Sequence, residues 1–83
     1  MSSLDELLQV LQGIERQLEE AGAHLGTCQG KLDEARQALV RLDPEHPETV
    51  LPPGLPRTHD QVERAQRLID LVLNTIRDFA TRL

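Results

Sequence analysis

The chain has no tryptophan, no tyrosine and a single phenylalanine, Phe79. Any interior must therefore be aliphatic, built from Leu, Ile, Val and Ala, and this points to helix packed on helix. One cysteine, Cys28, excludes an intramolecular disulfide, and no cysteine–histidine cluster offers a structural zinc site. Basic residues are few: nine Lys and Arg against fourteen Asp and Glu leave a formal charge of −5. They are spread along the chain, so the clustered positive charge that nucleic acid or an anionic membrane requires is missing. No run of about 18 apolar residues occurs, which argues against a transmembrane helix. The opening stretch, Met1-Ser-Ser-Leu-Asp-Glu, is acidic and lacks the basic segment of a secretory leader. With the lone thiol, this sets the expectation of a cytoplasmic protein, export by a non-classical route remaining open.

What is present is heptad pattern. At 83 residues the chain is expected to form one domain, 1–83. From Leu4 the apolar residues fall at 4, 7, 11, 14, 18, 21, 25, 28, 32, 35, 39 and 42, alternating steps of three and four. Position a is leucine throughout; position d is Leu7, Ile14, Ala21, Cys28, Ala35 and Leu42. A period sustained this long predicts one helix over 3–43 with a narrow a/d seam. Ser3 and Glu6 have capping-box spacing at its start, and Pro44 disfavours helical geometry in the residue before it. Residues 44–57 hold all five prolines and read as a stiff loop, with Val50, Leu51 and Leu55 folding back on the bundle end.

A second capping box, Thr58 and Gln61, predicts a helix over 58–83. Its seam is expected to be Val62, Ala65, Ile69, Val72, Ile76, Phe79 and Leu83, and Leu68, Leu71, Leu73 and Ala80 widen the stripe onto an outer face. The fold class is all-α: an antiparallel two-helix hairpin, paired into a four-helix bundle-like dimer. The lengths motivate the pairing. A first helix of roughly 60 Å outruns a second of roughly 38 Å. Folded back, the second ends near residue 17, leaving Leu4, Leu7, Leu8, Val10, Leu11 and Ile14 without a partner. These six, with Leu68, Leu71 and Leu73, form the expected interface. A break near Gly22, Gly26 and Gly30, which would fold a three-helix bundle, is the alternative.

Nothing in the pattern suggests catalysis. Glu15, Glu19, Glu20, Asp33 and Glu34 read as a solvated face, and a two-helix hairpin builds no water-excluding pocket for an acid pair. Cys28 lies on the expected seam and reads as a small core residue. His24, His46 and His59 are scattered, although His59 and Glu63 share an i, i+4 spacing that suits weak metal contact. The glycines at 22, 26 and 30 read either as a close helix crossing or as tolerated surface. No catalytic residue, cofactor or metal is assigned.

The layout of capped helix, central turn and second helix in a small acidic chain resembles the ESAT-6/WXG100 family of helical hairpins. That resemblance implies dimerisation as a four-helix bundle and an association with secretion and toxin systems. The family's Trp-x-Gly turn is replaced here by Pro53-Gly54, and its C-terminal tyrosine motif has no counterpart, so no functional residue carries over. The expectation is a non-enzymatic interaction protein whose partner is itself or another helical protein, with neither nucleic acid nor membrane bound. Its rivals are a secretion-associated partner or chaperone of a larger toxin-like protein and a regulatory DNA-binding dimer, the latter disfavoured by charge.

Overall fold

A computed structural model describes residues 2–45 and 52–83. Two helices account for nearly all of them: α1, Ser3–Leu42, and α2, Gly54–Thr81. They run antiparallel as a hairpin with principal extents of 64 × 15 × 15 Å. The long dimension is α1 itself, since 40 residues rise about 60 Å.

α1 is continuous through its glycines, so the broken-helix alternative falls. Its first turn is capped by Ser2, not Ser3: the Ser2 hydroxyl accepts from the Asp5 backbone N–H at 3.1 Å. Asp5 and Glu6 in the first turn and Arg41 in the last complement the helix dipole. Asp43, just before Pro44, has left helical geometry at φ −145° and ψ 81°.

α2 begins four residues before the expected Thr58. The prolines in Pro53-Gly54-Leu55-Pro56 read as breakers, yet the first turn of a helix leaves its N–H groups unpaired, so Pro56 there loses no hydrogen bond. Thr58 is consequently interior to the helix, its hydroxyl donating to the Gly54 carbonyl at 2.8 Å. Leu55 is half-buried as the first residue of the α2 seam, whereas Val50 and Leu51 lie outside the described residues.

The seam differs from the expected one in both helices. On α1 most residues that lose exposure, among them Leu8, Leu11, Glu15, Leu18, Gly22, Leu25, Gln29 and Leu32, are heptad rows a and e rather than a and d, although Ala21 of row d is half-buried too. On α2 most of them, Leu55, His59, Val62, Gln66, Ile69, Leu73, Ile76 and Ala80, are with Val62 as a again rows a and e, with Glu63 and Ala65 half-buried beside them. Successive residues turn about 100°, so row d stands about 60° to one side of row a and row e about 40° to the other. Each helix is therefore rotated by about half a residue step from the a/d arrangement. Periodicity reveals the rows but not the side of row a on which the neighbour sits.

Register follows from the facing pairs. Gly22 faces Ile69, Gly26 faces Gln66, Gln29 bonds to Glu63, and Asp33 meets His59. Carried on, this places Thr81 beside Val10 and Leu11, so α2 covers about a turn and a half more of α1 than the sequence suggested. A methyl group added at Gly22 would stand 3.8 Å from Ile69 and one at Gly26 3.7 Å from Gln66, both ordinary contacts. The glycines thus mark no unusually close crossing.

Candidate interaction surface

An antiparallel helix pair is related by an approximate twofold axis perpendicular to the plane of the hairpin. Equivalent heptad rows of the two helices therefore fall on the same broad face. With a and e forming the seam, rows e and b line one face and rows d and g the other.

The polar contacts obey this rule. The Arg77 guanidinium reaches Glu19 at 2.8 Å and Glu15 at 3.6 Å. Further along, the Gln29 amide donates to Glu63 at 3.1 Å, and the His59 ring stands 3.4 Å from Asp33 and 3.7 Å from Glu63. Glu15, Gln29 and His59 are row e; Glu19, Asp33, Glu63 and Arg77 are row b. One broad face of the hairpin is thus laced by ion pairs and amide hydrogen bonds.

The opposite face carries an apolar strip along row d, bordered in row g by polar residues such as Gln17, His24, Lys31 and Thr75. Leu7, Ile14, Leu42, Val72 and Phe79 occupy row d and are exposed, as are Val10 and Leu68 in row g. Leu4 and Leu83 are row-a residues exposed at the shared end of the hairpin. Between the large side chains of α1 lies a waist of small ones, Ala21, Cys28 and Ala35. Cys28 is exposed, contrary to its expected burial, because row d is turned out of the seam. By register Phe79 stands level with Ile14 and Val72 with Ala21, so the two d rows make one continuous strip.

Of the nine interface residues expected from sequence, the structure places most, though not all, on this surface. Leu4, Leu7, Val10 and Ile14 are exposed, while Leu8 and Leu11 are half-buried. Leu68 edges the same face. Leu71 is exposed in row c of α2, on the outer flank of the strip and away from the seam. Leu73 does not belong with them: at 6% exposure it is, with Val62 at 9%, the buried core of the hairpin. It falls in row e, which packs inward once the helix is rotated. Ile14 is open for a different reason from the one expected, since α2 runs past it and it simply faces outward. Sequence reasoning missed Val72 and Phe79 by assigning them to the intramolecular seam. Matched opposite charges in rows e and b, Glu15 and Glu19 against Arg77, were the signal that could have found the rotation.

Two other features of the described residues have chemical character. His59, Asp60 and Glu63 place one potential metal-ligand atom each within 4.8 Å of one another. His59 already turns one ring nitrogen toward Asp33 and the other toward Glu63, on opposite sides of the ring. The imidazole thus stands between a carboxylate of α1 and one of α2, linking the two helices at this end of the seam. A cavity of about 210 Å³ lies beside it, lined by Leu32, Asp33, Arg36, Leu55, Pro56 and His59. That is smaller than the roughly 300–1,000 Å³ of typical small-molecule sites, while a groove of about 560 Å³ runs over Glu19, Gln29, Glu63, Gln66 and Asp70 on the ion-paired face. No helix among the described residues is long and apolar enough to cross a membrane. The chain matches no protein-family model, no curated protein sequence and no solved structure.

Proposed function

We propose that this chain is a non-enzymatic helix-packing module that works by joining its d/g face to another helical surface. The observation that carries the reading is the division of the hairpin into one ion-paired face and one apolar face. A solitary hairpin needs no such division, whereas a helix shared between two neighbours does, with row a at the junction of both contacts.

Magnitudes support it. A compact monomer of 9.3 kDa exposes about 5,000 Å², and this hairpin exposes 6353 Å². Its radius of gyration is 18.9 Å, against about 12 Å for a compact chain of this length. Two buried side chains supply little of the free energy needed to order 83 residues. Covering the apolar strip supplies more.

The test pairs Ile14→Asp with Phe79→Asp, which puts two unpaired carboxylates into the proposed contact. The control is Leu71→Asp, in row c of α2, outside the d row that the strip buries. Sedimentation equilibrium is expected to show the native chain and the control as associated species and the double variant as a monomer. Circular dichroism is expected to show the double variant still helical. A native chain that is a clean monomer at tens of micromolar, melting as the double variant does, would sink the reading.

A further inference from the structure

Resting on that reading, we propose that the occupant of the apolar face is a second copy of this chain, turned end for end. The twofold axis runs perpendicular to the helices and passes between Ala21 and Cys28. α1 then lies antiparallel on α1 of the second copy, and α2 on α2.

Three observations select this occupant. The first is area. Several large side chains, from 38% exposed at Leu7 and Ile14 to 76% at Leu42, are strung along the strip; they offer several hundred Å² per copy, and a stable interface takes about 800 Å² from each partner. A flat strip two helices wide matches another of the same kind.

The second is shape. Row d of α1 reads large, large, small, small, small, large, from Leu7 to Leu42. Reversed about its centre, it sets Leu7 over the second copy's Leu42, Ile14 over its Ala35, and Ala21 over its Cys28. Leu42 and the N-terminal overhang, which α2 cannot reach, cover each other. The other twofold arrangement, with its axis along the helices, lays α1 on the second copy's α2 at the same level. It leaves Leu7 and Leu42 in water.

The third is charge. Glu6 in the first turn of α1 and Arg41 in its last turn share row c, on the outer flank of the strip. End-for-end pairing brings Glu6 of each copy to Arg41 of the other. The remaining acidic residues of that row, Glu20 and Glu34, have the second copy's Thr27 and Gly13 as their nearest neighbours in the same row, about two residues from level. No like charges in that row are brought face to face.

Oxidative cross-linking tests the arrangement. In the Ala21→Cys variant the new thiol stands against the second copy's Cys28. Within one chain, positions 21 and 28 are about 10 Å apart along the helix and cannot be bridged. Mild oxidation of the full chain is expected to convert most of this variant to a covalent dimer on non-reducing electrophoresis. The native chain, with its two Cys28 thiols a heptad out of step, is expected to stay uncrosslinked. A second variant, Leu7→Cys with Leu42→Cys and Cys28→Ser, is expected to cross-link as a dimer through its ends.

If the chain sediments as a dimer but cross-links only through Ala65→Cys with Cys28, the α1-on-α2 arrangement holds and the proposal is overturned. Cross-linking of native Cys28 to itself overturns it too. A monomer by sedimentation removes the docking surface altogether, a failure separable from a wrong orientation.

Discussion

Gly22 shows how a residue's meaning depends on the rotation of its helix. It lies in row e, facing Ile69, and the open distance to that side chain admits a methyl group. Glycine in a helix interior costs about 1 kcal/mol relative to alanine. Gly22→Ala is therefore expected to raise stability by up to about 1 kcal/mol, read from urea unfolding with unchanged slope. A loss of stability would mean that the helices approach more closely than the 3.8 Å contact indicates. Arg77 illustrates the opposite limit. It bridges two carboxylates, but its side chain is 48% exposed, so solvent screening keeps its contribution small. Its value lies in register, because only one alignment of α1 and α2 brings Arg77 to Glu15 and Glu19.

Each helix terminus is decided by one or two residues that pattern alone misassigns. Capping-box spacing at Ser3 and Glu6 drew attention one residue too far along, while the hydrogen bond to Asp5 comes from Ser2. Ser2→Ala is expected to cost about 1 kcal/mol, as loss of an N-cap does, and Ser3→Ala to leave stability within a few tenths. Chemical denaturation of the two variants side by side checks this; equal effects would place the cap elsewhere. At α2 the prolines concealed a helix start, because their missing N–H groups matter only beyond the first turn. That early start extends α2 toward Leu11 and shortens the overhang of α1. The continuity of α1 was legible from its unbroken period, since a break would have shifted the phase of the leucines.

In the whole molecule, two helices share a single packed seam and present an apolar strip beside it. If that strip closes on another copy, folding and association are one process, and the melting temperature rises with protein concentration. Cys28 provides an independent reading because it lies on the strip yet outside the hairpin core. A thiol reagent is expected to label it rapidly at nanomolar chain concentration and severalfold more slowly where the dimer forms. In Ile14→Asp/Phe79→Asp the rate should stay fast at every concentration. Labelling that ignores concentration in the native chain would show that the strip is never covered.

Heptad spacing, the scarcity of aromatics and the proline cluster were enough to specify two antiparallel helices and their approximate ends. These are properties of local backbone preference and apolar period, and both are written along the chain. Rows a, d and e all lie within a narrow arc of the helix surface, so a small rotation exchanges one for another at no cost to the period. The choice between them shows in contacts distant in sequence: Arg77 with Glu15 and Glu19, His59 with Asp33, Gln29 with Glu63. Those pairs form only when rows e and b of both helices share a face, and forming them turns Leu73 inward and Val72, Phe79 and Cys28 outward. The rows were therefore legible in the sequence, while the side of row a that faces the partner helix was settled only by tertiary packing, because burial of Val62 and Leu73 depends on residues far apart in the chain.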